Sequence, residues 1–146
     1  MTQDPRVRDL LNEIPLFAGC SPEVLAGIAV TAKARDCAKG EVIYNSGEQA
    51  REMFILLNGL VSFTTPTGVG LLHVERLMKR HMIFGWAALV PEHPQRLGTA
   101  RCLEASRLIE LDGDKVMEVL AATPASGFLV MTRLCSMIAN TFMTKA

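Results

Sequence analysis

Residues 39–63 read KGEVIYNSGEQAREMFILLNGLVSF and carry the strongest structural signal in the chain. Glycines at positions 40, 47 and 59 divide this stretch into short apolar runs, and residues 53–57 are apolar throughout. A short apolar run between turn residues is typical of a strand that is covered on both faces. Each glycine lies where a tight corner needs a positive φ or a close backbone approach. The stretch therefore predicts short strands joined by tight turns.

The same pattern of short apolar runs between turn residues extends on both sides of this stretch. Helical patterns replace it at the two ends of the chain. Turn residues recur closely between short apolar runs from residue 33 to residue 111, which predicts an all-β barrel or sandwich over 33–111. Residues 5–31 are expected to be helical, with Ser21 as an N-cap before a proline at the first helical position. Residues 112–144 are expected to form C-terminal helices. With no linker or repeat between these parts, we expect a single domain over 1–146.

Composition and charge narrow the class of protein. The chain has 146 residues, of which 49% are hydrophobic and 21% charged, as in an ordinary globular domain. Fifteen Lys and Arg residues balance fifteen Asp and Glu residues, so the whole-chain charge gives no argument for a nucleic acid or an anionic membrane as partner. The N-terminus has no apolar core of a signal peptide, and the uncharged stretch 53–74 is interrupted by turn residues. We expect no membrane span and a cytoplasmic location, with reduced cysteines.

No catalytic or metal-binding arrangement is visible in the sequence. G-x-S-x-G is absent, and no carboxylate pair or Cys/His set can be placed in one pocket. The four cysteines contain no C-x-x-C pair, and His73, His81 and His93 lack the spacing that puts ligands on one helix face. We therefore expect a protein that is not an enzyme and that holds no metal and no cofactor.

The stretch 39–63 resembles the first half of a cyclic nucleotide-binding domain, through its three glycines and the apolar block 53–57. Residues 83–89 (IFGWAAL), followed by residues 96–100 (RLGTA), are similar to the phosphate-binding cassette of that family. With the flanking helices, the resemblance covers about residues 10–144. It implies a mainly β fold with flanking α: an eight-stranded jelly-roll-like barrel with N-terminal helices and a long C-terminal helix.

The cassette resemblance also implies a binding site for a cyclic nucleotide, cyclic AMP rather than cyclic GMP. A short helix that starts near Gly85 would offer free N–H groups to an anion, and Arg96 would supply the countercharge. Two plainer interpretations stay open: Arg96 could be a surface arginine, and Trp86 a packing residue. The ligand-binding residues implied by the resemblance are Phe84, Gly85, Trp86, Ala87, Ala88, Arg96, Leu97 and Thr99.

Three positions depart from the family pattern. The family's cassette glutamate, which accepts the ribose 2′-hydroxyl proton, is Trp86 in this chain, and an indole only donates a hydrogen bond. Leu97 follows the arginine and offers no hydroxyl. Arg80 stands where the family commonly has a glycine before Phe-Gly. The sequence thus predicts a binding site in which the part that holds the phosphate is retained and the part that holds the ribose is altered.

The C-terminal helix carries two apolar stripes and a single charged residue, Arg133, between residues 119 and 144. A helix that packs one face on its own barrel needs only one stripe. In the family that the chain resembles, this helix is commonly a dimer seam and a lid over the base, although an exposed apolar face is the plainer alternative. The interface expected for a homodimer consists of Val130, Met131, Leu134, Cys135, Met137, Ile138 and Phe142.

Three functional hypotheses follow from the resemblance. The first is a stand-alone ligand-sensing regulatory domain that signals through its C-terminal helices to a partner protein or across the dimer. The second is an interaction module that has kept the fold and lost nucleotide binding. The third is the sensor part of a transcription regulator whose DNA-binding part lies outside this chain, since we expect no DNA-binding element within it.

Overall fold

Residues 33–113 fold into two four-stranded antiparallel sheets in the computed structural model, which describes residues 5–65, 75–92 and 94–143. Every strand pair that the two sheets contain runs antiparallel. The predicted eight-stranded jelly-roll-like barrel is confirmed. The strands are β1 (Lys33–Cys37), β2 (Val42–Tyr44), β3 (Glu52–Asn58), β4 (Val61–Thr64), β5 (Glu75–Met78), β6 (Ile83–Phe84), β7 (Thr99–Cys102) and β8 (Ser106–Asp112).

Strand β3 is the centre of one sheet, in the order β1-β8-β3-β6, while the other sheet has the order β2-β7-β4-β5. The four residues from Met53 to Leu56 are at most 2% exposed, so this part of β3 is covered on both faces. Burial on both sides explains why the block is apolar throughout instead of alternating. The expectation for residues 53–57 is confirmed for 53–56, whereas Leu57 is half-buried.

The glycines of residues 39–63 form the predicted corners, with φ of 86° at Gly40, 89° at Gly47 and 106° at Gly59. Gly59 is additionally required by space, because a Cβ there would lie 2.2 Å from the Ser106 Oγ atom. A larger residue at this corner would therefore displace the start of β8.

The interior of the barrel holds an apolar cluster contributed by both sheets. A bulge in β2 shapes it: Val42 pairs with Arg101 and Tyr44 with Ala100, which leaves Ile43 as the extra residue. The cluster contains Cys37, Ile43, Tyr44, Phe54, Leu56, Val61, Met78, Phe84, Ala100, Cys102 and Leu108.

A second compact unit contains residues 1–32 and 114–146. The helices are α1 (Pro5–Glu13), α2 (Pro22–Ala29), α3 (Gly113–Ala122) and α4 (Pro124–Met143). The Ser21 hydroxyl caps α2 by accepting a hydrogen bond from the Val24 N–H at 3.4 Å, as predicted. A single domain over 1–146 stays a prediction. Among the described helices, none combines the length and apolar character that a membrane crossing requires.

Helix α4 is anchored within the helical unit by its one charged residue. The Arg133 guanidinium donates hydrogen bonds to the carbonyl oxygens of Leu16 and Ala18. Close packing of α3 and α4 depends on Gly127, where a Cβ would lie 2.7 Å from the Leu120 carbonyl oxygen.

The structure corrects two of the seven residues expected in an interface on α4, and the other five stay a prediction. Val130 and Leu134 are 0% and 4% exposed, so this stripe is packed within the chain and is not available to a second copy. Met131, Met137 and Ile138 are half-buried, Cys135 is exposed, and the Phe142 side chain lies outside the described residues. Among the residues whose side chains are described, the most exposed large apolar one is instead Phe128, at 77%.

Candidate functional site

Arg96 enters the barrel from the segment before β7 and is 4% exposed. Its Nη1 atom donates to the Gly85 carbonyl oxygen at 3.1 Å, and its Nη2 atom donates to the Glu52 carbonyl oxygen at 2.6 Å. Its backbone is fixed as well, because the Arg96 N–H donates to Glu48 and its carbonyl accepts from Gly47, both at 2.8 Å. Two segments of the β unit therefore hold the guanidinium, and a third holds the Arg96 backbone.

An aromatic cluster lies beneath this guanidinium. The Arg96 Cζ atom is 4.1 Å from the centroid of the Tyr44 ring and 5.6 Å from that of Phe54. The Tyr44 ring stacks on Phe54 at 5.9 Å between centroids, and Phe54 stacks on Phe84 at 5.2 Å. Arg96 thus rests on the negative face of a ring at the end of a continuous stack.

Arg96 forms no ion pair in the part of the chain that the structure describes. Its Nε atom is buried without a hydrogen-bond partner. Burial lowers the pKa of Arg96, and the attraction of Tyr44, Glu52 and Glu48 opposes this effect. A guanidinium keeps its proton in proteins, so the site contains a desolvated cation with unused donors.

Gly85 connects this cation to the start of a short helix. The 3₁₀ helix Trp86–Leu89 begins directly after Gly85, which has a φ of 80°. A Cβ at Gly85 would lie 3.0 Å from Phe54 and 3.1 Å from the Arg96 Nη1 atom, so only glycine combines this backbone with this contact. The first N–H groups of a helix have no acceptor within it, so those of Trp86 and Ala87 have no partner in the 3₁₀ helix.

The predicted site residues divide into two groups. Phe84, Ala87 and Ala88 are buried around the Gly85 corner, and Trp86 is half-buried at the first position of the 3₁₀ helix. The structure does not bring the other two residues to Arg96. Leu97 is 51% exposed, and the Thr99 hydroxyl accepts a hydrogen bond from the Ser46 N–H at 3.1 Å.

The sequence analysis missed Tyr44. Regular alternation in β2 would put Tyr44 on the face opposite Ile43, but the bulge between Val42 and Tyr44 turns both side chains into the core. Nothing in the sequence signals a bulge at this point. The available clue was that the only tyrosine of the chain lies in a predicted strand next to the Gly47 corner.

The turn before β6 also differs from the expectation. Left-handed backbone occurs at His81, with a φ of 67°, and not at Arg80. The His81 N–H donates to the Leu56 carbonyl oxygen at 2.6 Å, which fixes this strained residue against β3. The position that favours glycine is therefore His81.

The described residues contain no group of three or more His, Cys, Asp or Glu side chains able to hold a metal ion. His73 and His93, which were considered as ligands, lie outside these residues.

Comparison with known proteins gives matches in sequence and in structure. The family model for the cyclic nucleotide-binding domain matches residues 34–123. The chain is 26% identical over 110 residues to the potassium channel SKOR of Arabidopsis thaliana, across 75% of this chain and 13% of the channel. The potassium channels that it matches are all much longer, since the chain spans at most 30% of their length.

Solved structures with the same fold include sensor and regulatory domains. The sensor domain of the transcriptional regulator DNR from Pseudomonas aeruginosa has a TM-score of 0.76 and 18% identity, covering 94% of this chain and 92% of that one. The regulatory domain of Toxoplasma gondii PKA, solved with cAMP, has a TM-score of 0.78 and 17% identity, covering 93% of this chain and 49% of that one. At these identities the similarity establishes the fold.

Proposed function

Because the chain belongs to the cyclic nucleotide-binding domain family, we propose that it is a regulatory domain that binds a cyclic nucleotide, with cyclic AMP preferred over cyclic GMP. The observation that carries the proposal is the buried Arg96 cation, which has no acidic partner among the described residues and an unpaired Nε–H. A cyclic phosphate would supply both the missing charge and the missing acceptor. Cyclic AMP is the first ligand to test because a neighbouring structure, the PKA regulatory domain, was solved with it.

The start of the 3₁₀ helix supports the same ligand geometry. Arg96 donates to the Gly85 carbonyl oxygen, so the guanidinium is fixed at the corner where this helix begins. A phosphate that approaches this corner would accept from the remaining N–H donors of Arg96. The positive φ of Gly85 leaves no Cβ in the way of this approach.

The ribose side of the site is altered by Trp86. Its indole cannot accept the proton of a ribose hydroxyl, and it adds bulk at the place where the family has a carboxylate. We infer that a cyclic nucleotide binds with its phosphate held as in the family and its ribose hydroxyl without a charged acceptor. Binding is then weaker than in a site with both contacts.

We propose that the C-terminal helices transmit the signal. We also propose that the chain forms a homodimer in the cytoplasm. An apolar groove of about 260 Å³ lies between α3 and α4, with the exposed Phe128 on its rim. An uncharged surface of this kind suits a second copy or a partner protein. The residues lining the groove are Met117, Leu120, Ala121, Pro124, Gly127, Phe128 and Met131.

The experiment is a calorimetric titration of the chain with cyclic AMP and with cyclic GMP, repeated on Trp86→Glu. We expect weak binding of cyclic AMP to the wild type and weaker binding of cyclic GMP. In Trp86→Glu the affinity for cyclic AMP should rise by roughly tenfold, because a charged acceptor contributes about 1.5–3 kcal/mol. Absence of binding in both proteins would refute the proposed function.

The same titration decides between this proposal and a second candidate, an interaction module without a ligand. The groove and the 77% exposure of Phe128 favour that candidate, because they offer a surface that needs no nucleotide. Its prediction is the absence of cyclic nucleotide binding in both proteins together with self-association or partner binding through α4. A third possibility, the sensor part of a transcription regulator, would show nucleotide binding and is tested by the reading frame beyond residue 146.

A further inference from the structure

We propose that Tyr44 is the positioning residue that holds the Arg96 guanidinium ready for an anion. This inference rests on the proposed function, since it concerns how the anion-binding group of the same site is kept in place. The Tyr44 ring lies 4.1 Å from the Arg96 Cζ atom, and its centroid is 6.4 Å from that of the Phe84 ring.

Three restraints define the orientation of the guanidinium. The carbonyl oxygens of Glu52 and Gly85 accept from the two Nη atoms and fix the direction of the guanidinium edge. The Tyr44 ring covers one face of the guanidinium and fixes the tilt of its plane. Without the ring, the two hydrogen bonds to carbonyl oxygens would still let the guanidinium plane rotate about the line that joins the two oxygens.

An aromatic ring suits this task better than a carboxylate. A carboxylate would neutralise the arginine and take up two of its N–H donors, so an incoming anion would have to displace it. A ring attracts the cation through its quadrupole and uses none of the donors. Of the five donors of Arg96, only those bonded to Glu52 and Gly85 are used, and the Nε–H is unpaired.

Tyr44 is itself fixed by the fold, as a positioning residue must be. The bulge at Ile43 turns the ring into the barrel, and the stack on Phe54 prevents it from swinging away. The ring is 6% exposed, so water does not weaken its attraction for the guanidinium. The site thus combines a rigid aromatic support with a cation that keeps an unpaired Nε–H.

The first test measures cyclic AMP affinity by calorimetry in Tyr44→Leu, Tyr44→Phe and a matched control. Tyr44→Leu keeps an apolar core residue but removes the ring, and we expect about tenfold weaker binding. Tyr44→Phe retains the ring and should bind within about twofold of the wild type. Phe17→Leu removes a fully buried ring from the helical unit and should lower stability without changing affinity. In a protein that already carries Arg96→Ala, adding Tyr44→Leu should cause no further change in the affinity for cyclic AMP.

The second test does not need a ligand and separates failure of this inference from failure of the proposed function. A double-mutant cycle combines Tyr44→Leu with Arg96→Met and measures the unfolding equilibrium in urea. If the ring holds the cation, Tyr44→Leu should raise the unfolding constant about tenfold more with arginine at position 96 than with methionine. Additive effects in this cycle would overturn the inference, as would unchanged cyclic AMP affinity in Tyr44→Leu. A chain that binds no cyclic nucleotide but shows the coupling would refute only the proposed function.

Discussion

Arg96 illustrates how a buried cation can be stabilised without an acid. Two carbonyl oxygens and one ring face partly replace the water that burial removes, but the Nε–H remains unpaired among the described residues. An unsatisfied buried donor costs about 1–3 kcal/mol, so the fold keeps it at a cost. Such a cost is expected where a ligand completes the bonding, and less so where an arginine serves packing alone.

Because of Tyr44, we expect the unfolding free energy to fall at alkaline pH. Burial raises the pKa of Tyr44 from 10.0 to about 12, opposed by the nearby Arg96. A group whose pKa is higher in the folded state favours folding below its unfolded pKa, and this contribution is lost as the pH rises through the folded value. The wild type should therefore lose up to about 3 kcal/mol of unfolding free energy from this group at alkaline pH.

Urea unfolding below pH 10 and near pH 12 measures this loss, with Tyr44→Phe as the comparison. Tyr44→Phe should show a flatter pH dependence, although not a flat one, because burial also raises the pKa of Cys37 to about 11. If the unfolding free energies of the two proteins depended on pH in the same way, Tyr44 would not be the cause of the loss.

His81 offers a second residue-level prediction. Its φ of 67° is a conformation that glycine adopts without strain, so His81→Gly should raise the unfolding free energy by up to about 1 kcal/mol. The neighbouring Arg80→Gly is the matched control and should lower the unfolding free energy, since Arg80 has no positive φ and glycine only adds entropy to the unfolded chain. Denaturant unfolding of both variants checks the sign, and a loss of stability in His81→Gly would show that its side chain matters more than its backbone.

At the level of elements, α4 shows why a stripe pattern does not by itself identify a partner. Leu134 is 4% exposed and the adjacent Cys135 is exposed. We expect Leu134→Ala to lower the unfolding free energy by about 2–5 kcal/mol and Cys135→Ala to change it little. Thermal and urea unfolding measure both; equal effects would mean that α4 does not pack on its chain as described.

The surface available for self-association is centred on Phe128, which is 77% exposed beside the α3–α4 groove. In the proposed homodimer, burying this ring contributes roughly 1.5–3 kcal/mol per protomer, so Phe128→Gln should weaken the dimer by tenfold or more. Ser136→Gln, at another exposed position of α4, should not weaken it. Sedimentation measures the dissociation constant, and a wild type that stays monomeric at all accessible concentrations would end the dimer proposal.

The sequence was sufficient for elements with a strong local signal. The uninterrupted apolar run in β3, the Ser21-Pro22 start of α2 and the glycine corners all follow from local chemistry, and each is found where it was expected. The bulge in β2 and the direction in which each α4 stripe faces depend on contacts between distant segments. These could not be read from one sequence, and they are the features that place Tyr44 under Arg96 and Leu134 in the core.

For the whole molecule, a net charge of zero makes the local environment of Arg96 the source of any attraction for an anion. The β unit brings Arg96, the Gly85 corner and the Tyr44 ring together from segments that are far apart in sequence. The family match over residues 34–123 supports the proposal that this arrangement binds a cyclic nucleotide. The account therefore depends on whether Arg96 binds the phosphate.

The affinity of Arg96→Ala for cyclic AMP, measured by calorimetry beside the wild type, answers this question. Arg101→Ala is the matched control, because it removes an exposed arginine of β7 and leaves the site intact. We predict that binding in Arg96→Ala weakens by about ten- to a hundredfold, as expected for the loss of charge-assisted hydrogen bonds, while Arg101→Ala binds like the wild type. Wild-type affinity in a folded Arg96→Ala protein would contradict the account.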